Sequence, residues 1–352
     1  MSLDKQIKEK ISIEAIKTLL ASFDELPQDI ANVDNIPFHD LFLNASLLKM
    51  DKSIYGYPYT MNLHVLHETL TLTFFEKVAH ILCDGEKLEY TSKKLGNIQI
   101  TREQKNNVSK IITELSNKTV SPHLVAENSQ LFQKNNSELV NAIDFSADVF
   151  FEKDNDIIAI ELKTVQPNSG GSMGEKQKIL EGKAALYRLF PDKQIHFYLG
   201  FPFDPTVNPK TDSVTSYDKT RFSRSIVNLD KFFDQQEILL ADGLWNFLSG
   251  ETDTMQQILD IINAIATSKF MYEFRLLTDN SKRQSREYAE RLLEWNLFSE
   301  YELIRKDSLL RNSTAHNKKL QNTYRKKPFD NQGNYQWERF HTLVKLLDNE
   351  SR

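Results

Sequence analysis

Three residues near the middle of the chain have the types and spacing that phosphodiester hydrolysis requires: Asp148, Glu161 and Lys163. Side chains of a β-strand alternate between its faces, so Glu161 and Lys163, two apart in Asp156–Val165 (DIIAIELKTV), project from the same face. Ile158, Ile160 and Leu162 take the other face. Asp148 lies in Asp144–Phe151 (DFSADVFF), where Phe145, Ala147, Val149 and Phe151 alternate onto one face. A polar five-residue turn, Glu152–Asp156, separates the two runs and predicts a hairpin that carries Asp148 toward the other two. Two carboxylates supply hard oxygen ligands for Mg²⁺, which keeps several waters and takes up a phosphate oxygen. The metal would stabilise charge on a pentavalent phosphorus and lower the pKa of a water, while the Lys163 ammonium adds positive charge where negative charge develops. A solvent-facing Glu–Lys pair on an ordinary hairpin has the same pattern. With 93 charged residues such spacings recur, and Glu181-Gly182-Lys183 repeats this one inside a helical segment. The residues alone leave both readings open.

The elements that must position these residues are legible around them. Gln194–Phe201 (QIHFYLGF) reads as a third strand, and Gly174–Phe190 between the second and third is helical in pattern despite Gly182. Strand, turn, strand, helix, strand is a mixed α/β core, and its βαβ crossover is expected to be right-handed. Upstream, residues 5–25 read as an amphipathic helix through Ile7, Ile11, Ile16, Leu19 and Leu20, and residues 28–58 as loops with short helical pieces. Asn62–Leu82 carries a helical stripe of Leu63, Leu66, Leu70, Phe74, Val78 and Ile81, with Gly85 as the stop. Thr101 and Gln104 form a capping-box pair that opens a helix through about Leu115. Residues 202–221 read as a long loop. Beyond Leu229 the chain is mostly helical, including Asp242–Leu248, Met255–Ala266 and Ser285–Phe298. The division expected is a helical region at 1–58, a catalytic core at 59–250 and a mostly helical C-terminal region at 251–352.

Bulk properties narrow the class. The 352 residues are 40% hydrophobic and 26% charged, the balance of a chain that buries a core. A net charge of −5 argues against coating nucleic acid through overall charge but leaves room for a local basic groove. The lone cysteine, Cys83, excludes an internal disulfide and a multi-cysteine zinc site, and its apolar helical setting reads as packing. No apolar run approaches the roughly 18 residues of a membrane span and none resembles a signal peptide, so a cytoplasmic protein is expected.

Beyond these patterns, Ser146-Ala147-Asp148, the run Ile160–Gly170 (IELKTVQPNSG), Gly174–Leu180 (GEKQKIL), Ile195–Pro205 (IHFYLGFPFDP) and Trp245–Gly250 (WNFLSG) resemble the catalytic core of the TdeIII family of type II restriction endonucleases. That family belongs to the PD-(D/E)xK nuclease superfamily. The resemblance covers roughly residues 60–260 and is dense between 146 and 205. It implies a restriction-endonuclease-like fold, a mixed β-sheet flanked by helices, with further helical N- and C-terminal regions. Asp148 and Glu161 would be metal ligands and Lys163 the catalytic lysine. Ala147 stands where the superfamily has its name-giving proline, a departure that removes no ligand. Glu76 occupies a helix where the superfamily often places an acid completing the metal site. The implied cofactor is Mg²⁺, with Mn²⁺ able to substitute, and the implied substrate is double-stranded DNA cut on both strands at a short, interrupted, GC-rich palindrome such as GGNCC. A symmetric site calls for a homodimer. A cognate DNA methyltransferase would be a functional partner without required contact. Two alternatives remain: a structure-specific or repair nuclease on the same core, and a catalytically inactive DNA-binding protein.

Further DNA contacts are sought in two places. The loop Gln166–Gly174 (QPNSGGSMG) has glycines that permit close backbone approach to a phosphate, and Lys176, Gln177, Lys178 and Lys183 follow on the helix. Arg305–Lys327 carries eight Lys or Arg against one acid, Asp307. Its Lys318, Lys319, Arg325 and Lys326 suit phosphates, and Arg311 and Asn322 suit base edges. Both stretches also read as solvated surface. His316 and His341 are isolated and read as structural.

Overall fold

The computed structural model describes residues 2–25, 73–90, 98–163, 171–208, 211–267 and 269–350. The loops expected at 28–58, the first half of the Asn62–Leu82 helix and the glycine-rich stretch as far as Gly170 lie outside the described residues. The described chain divides into two compact units. One runs from residue 73 to 255, and the other holds Lys5–Glu25 together with residues 256–350.

The first unit is built on strands β1 (Glu86–Tyr90), β2 (Gln99–Thr101), β3 (Leu139–Asn141), β4 (Phe145–Lys153), β5 (Asp156–Leu162), β6 (Gln194–Phe201) and β7 (Ile238–Leu240). A five-stranded sheet has the order β1-β4-β5-β6-β7, and β2 pairs with β3 alone. The helices, in chain order, are α1 (Lys5–Glu25), α2 (residues 73–83), α3 (Arg102–Ser116), α4 (Leu124–Leu131), α5 (Gly171–Leu189) and α6 (Asp242–Ser249). They continue with α7 (Thr254–Ile265), α8 (Phe270–Thr278), α9 (Arg286–Glu294), α10 (Phe298–Arg305), α11 (Asp307–Thr314), α12 (Lys318–Arg325) and α13 (Trp337–Glu350).

The hairpin expected around the candidate residues is present, and its turn is tighter than the sequence suggested. Lys153 and Asp156 pair within the ladder, leaving Asp154 and Asn155 as a two-residue connection. Asp154 adopts φ 53°, a left-handed conformation that Asp tolerates and that suits the twist of a two-residue hairpin. The strand β5 is central, antiparallel to β4 and parallel to β6, and all its residues after Asp156 are buried. Burial on both sides explains why it reads as a continuous apolar run broken only by Glu161.

The return from β5 to the parallel β6 passes through α5, the crossover that the pattern predicted. Gly182 lets this helix approach the sheet: a Cβ there would lie 3.1 Å from the Phe197 ring and 3.3 Å from Phe145. On the next residue of β6, Tyr198 meets Phe247 of α6 edge to face at 5.4 Å. Adjacent strand residues point to opposite faces, so α5 and α6 cover the two sides of the sheet.

Two local signals read from sequence are realised in full. Thr101 accepts from the backbone N–H of Gln104 while the Gln104 side chain accepts from Thr101 N–H, opening α3 with a complete capping box. Helix α2 stops with Asp84 at φ 52° and the Gly85 N–H donating to the His80 carbonyl. The loop expected over 202–221 ends earlier, because Asp218 caps a short helix at Lys219–Ser225.

In the second unit α1 buries Ile11, Ile16, Leu19 and Leu20, and its Glu9 carboxylate accepts from the N–H and hydroxyl of Ser299 on α10. Leu303, Leu310, Leu343 and Leu347 form a core among α10, α11 and α13. A buried bidentate pair, Arg339 with Glu300 at 2.6 and 3.1 Å, ties α13 to α10. Among the described residues no helix is long and apolar enough to cross a membrane.

Candidate active site

Asp148 and Glu161 are next-neighbours on facing strands, one step beyond the ladder pair Val149–Ile160. There the backbone ladder gives way to a side chain: Asp148 Oδ2 accepts the Leu162 N–H at 2.9 Å. A one-residue irregularity between β1 and β4 sits at the same place, since Glu86 pairs with Phe150 while Leu88 pairs with Ala147. The extra residue in β4 falls at Asp148–Val149, and such bulges re-aim side chains beside functional sites. The Asp148 carbonyl is fixed too, by the His80 ring on α2, whose Nε2–H donates at 2.6 Å. A carbonyl only accepts, so this contact sets the proton of His80 on Nε2.

Lysines surround both carboxylates. Lys163 Nζ lies 3.0 Å from Glu161 Oε1 and 3.2 Å from Glu175 Oε2 on α5, and Lys178 Nζ lies 3.2 Å from the same Glu161 oxygen. The Ser146 hydroxyl donates to Glu161 Oε2 at 3.4 Å. Burial pulls the Lys163 ammonium toward deprotonation, but Glu161 and Glu175 outweigh it and hold the group above its ordinary range. With Glu161 and Glu175 beside it and no metal bound, Lys163 is held as an ammonium.

On the other flank Lys87 of β1 reaches Asp148 Oδ1 at 3.0 Å and both oxygens of Glu76 on α2 at 3.4 Å. The structure thus brings Glu76 next to Asp148 through a shared lysine. Burial raises the Glu76 carboxyl, the Asp148 charge raises it further, and Lys87 opposes both. Sequence reasoning missed Lys87, Glu175, Ser146 and His80. Only the E-K-L-E-Y alternation of β1 could have pointed to Lys87, and a five-residue polar strand is a weak signal.

The donor set fits a hard divalent cation in kind, since every candidate ligand is a carboxylate oxygen. One oxygen of each carboxylate is already held by ammonium groups, Asp148 Oδ1 by Lys87 and Glu161 Oε1 by Lys163 and Lys178, which stand where positive charge is required. Among the described residues no three His, Cys, Asp or Glu side chains gather closely enough to form a cage by themselves. A Mg²⁺ site does not need one, because that ion retains waters and completes its shell with substrate phosphate.

Other residues expected at DNA are distributed differently. Lys176 corrects the sequence reading: it is fully buried, its ammonium 2.6 Å from both Glu127 and Glu237, and is not presented to a phosphate. Lys183 is equally buried, 2.9 Å from Glu237, so Glu181-Gly182-Lys183 is no second copy of the site. The reason is seating. Lys176 and Lys183, seven apart, share the side of α5 that meets Glu127 and Glu237, and both are carried inside there. Gln177 donates to Glu181 at 3.2 Å, one turn along its own helix, whereas Lys178 points to Glu161.

In the C-terminal segment Lys318, Lys319, Asn322, Arg325 and Lys326 are exposed, and α12 has no buried residue. Their spacing places 318, 319, 322 and 325 on one face of α12, and Lys326 follows as the extended residue that ends the helix. Arg311, also exposed, is engaged by Asp307 at 2.9 Å and by the Tyr324 hydroxyl at 3.1 Å. Cys83 is half-buried, with its thiol pushed by burial up to about 11, in keeping with a packing role.

Comparison with known proteins gives this geometry its context. The family model described as "Type II restriction endonuclease, HinfI" matches residues 2–266. The type II restriction enzyme MjaII of Methanocaldococcus jannaschii is 37% identical over 372 aligned positions, covering 99% of each chain. No solved structure matches this chain. The protein is a type II restriction enzyme, a site-specific deoxyribonuclease whose substrate is DNA. The chain belongs to the HinfI family of these enzymes. The TdeIII resemblance read from residues 146–205 points to the same enzyme class, but the family that matches is HinfI.

Proposed function

We propose that the protein is a Mg²⁺-dependent endonuclease with a PD-(D/E)xK core, in which Asp148 and Glu161 hold the metal, Glu76 completes its shell and Lys163 serves the reacting phosphate. The observation that carries this reading is the convergence of Asp148, Glu161 and Lys163 at one end of the β4–β5 hairpin. When bound, a divalent metal supplies Lewis-acid stabilisation of charge on phosphorus and acidifies water. The chain's own contribution is orientation and charge. Leu162 N–H fixes the Asp148 carboxylate, Glu175 and Glu161 fix Lys163, and the Lys163 side chain orients the attacking water or a phosphoryl oxygen. The core is proposed at residues 59–250, in a cytoplasmic homodimer whose two sites meet two strands of a symmetric sequence. The TdeIII resemblance supports a short, interrupted, GC-rich palindrome, and a cognate methyltransferase would share that sequence without touching this chain.

Incubating the protein with long DNA and Mg²⁺ tests the reading. Discrete fragments that share a palindromic end sequence are expected, with Mn²⁺ replacing Mg²⁺ and Ca²⁺ supporting binding without cleavage. Undiminished cleavage in EDTA contradicts the metal role, and cleavage that follows DNA structure instead of sequence points to a repair-type nuclease.

The exposed face of α12 supports a second set of contacts, to the phosphate backbone. Replacing Lys318, Lys319 and Lys326 by Gln should weaken binding to cognate and random duplexes alike. Each lost phosphate contact should flatten the log–log salt dependence by roughly 0.9. Replacing Asn322 or Arg311 should instead relax base discrimination by ~1–3 kcal/mol per bidentate contact. Unchanged affinity, slope and discrimination in all of these variants would show α12 to be solvated surface.

A further inference from the structure

Of the two oxygens of Asp148, Oδ2 is committed to the Leu162 N–H, so Oδ1 is the one left for a cation. That oxygen is the one Lys87 takes, at 3.0 Å, while the same ammonium lies 3.4 Å from both oxygens of Glu76. Lys87 enters from β1, opposite the extra residue in β4 that re-aims Asp148. Its side chain is 42% exposed, against 10% for Asp148 and 17% for Glu76. The lysine can therefore swing into solvent, whereas the carboxylates it bridges cannot follow. Around the whole site Glu76, Asp148, Glu161 and Glu175 face Lys87, Lys163 and Lys178, which leaves one net negative charge. A divalent cation added to that arrangement would be opposed by the three ammoniums unless one of them leaves.

We propose that Lys87 is the resident counter-cation of the metal carboxylates: it bridges Asp148 and Glu76 in the metal-free protein and is displaced when a divalent cation enters. The inference rests on the metal site proposed above, with Asp148 as a ligand. It assigns Lys87 a positioning role, keeping two like charges together and setting a threshold for metal entry, and no part in the chemical step. Competition of this kind lowers metal affinity by the strength of the contact it replaces, which for a part-exposed ion pair corresponds to about three- to fivefold.

Mn²⁺ binding to the full-length protein without DNA, followed by the electron paramagnetic resonance of free Mn²⁺, tests the inference without reference to cleavage. Lys87→Met and Lys87→Gln should each bind Mn²⁺ about three- to fivefold more tightly than wild type. Lys87→Arg, which keeps the charge, should stay within about twofold. So should Lys77→Gln, which removes an exposed charge beside Glu76 on α2. Asp148→Asn should lose the binding. Unchanged binding in Asp148→Asn means the metal site itself is misassigned. Loss in Asp148→Asn together with unchanged or weaker binding in both Lys87 variants overturns the counter-cation role and leaves the site standing. Binding undetectable in wild type and in both Lys87 variants overturns it as well, whereas binding that appears only in the Lys87 variants supports it.

Discussion

Asp148→Asn, Glu161→Gln and Lys163→Ala should each reduce cleavage of cognate DNA by at least about a hundredfold while binding in Ca²⁺ changes little. The size follows from the roles proposed: removing one group that stabilises developing charge typically costs ~10²–10³ in rate, and such groups add little to ground-state affinity. The choice of Asn at 148 matters. Its amide oxygen can still accept the Leu162 N–H, so chemistry is lost with the fold intact. Asp148→Ala should lose cleavage as well and, in addition, about 1–3 kcal/mol of stability, because a buried amide is left without an acceptor. Lys163→Arg is a second discriminating variant. It keeps the charge but cannot reproduce a compact ammonium 3.0 and 3.2 Å from Glu161 and Glu175, so it should remain well below wild type. Single-turnover cleavage and thermal melting of the same samples separate the effects. Near-normal cutting by any two of the first three variants would sink the assignment.

What could be read in advance divides by how far apart in sequence the deciding residues lie. The β4–β5 hairpin, the capping box of α3 and the stop of α2 depend on neighbours within a few positions, and their patterns were visible in the chain. The crossover through α5 was visible too, because β-branched runs on either side bracket a helical stretch. The surroundings of the site were not. Lys87 stands 61 residues before Asp148 on a short polar edge strand, and only the pairing of β1 with β4 brings the two together. Lys176 and Lys178 are two apart on one helix, yet one is sealed in the core and the other faces Glu161. Their difference is set by how α5 is seated, with Lys176 turned to Glu127 and Glu237 and Lys178 turned to Glu161, contacts that no local pattern encodes.

That seating underlies the second large effect, expected from Glu237→Gln. Glu237 closes a short helix immediately before β7 and is 1% exposed; its two oxygens lie 2.6 Å from Lys176 and 2.9 Å from Lys183, both on α5. Lys176 has a second partner in Glu127 of α4, so two buried ammoniums are balanced by two carboxylates. Gln has nearly the volume of Glu but no charge, and the substitution leaves one buried ammonium uncompensated. Breaking a buried ion pair by removing one partner costs about 3–5 kcal/mol. The titration of Glu237 agrees. Burial pushes its carboxyl up, but Lys183 and Lys176 outweigh that and hold it at about 2, from an ordinary value of 4.5. The difference corresponds to about 3 kcal/mol. Because the folded-state value is depressed, this stabilisation is complete above about pH 4.5 and is lost as pH falls toward about 2. The variant should therefore melt roughly 10 °C below wild type at pH 7. The gap should narrow as both proteins are taken from pH 5 toward pH 3. Lys183, whose ammonium burial already holds below its ordinary range, should go lower still in the variant. Since α5 also carries Glu175 and Lys178 to the site, weakened anchoring should slow cleavage near the variant's melting temperature before it does so in the cold. A variant that melts within about 2 °C of wild type at pH 7 would show that the buried lysines find compensation elsewhere.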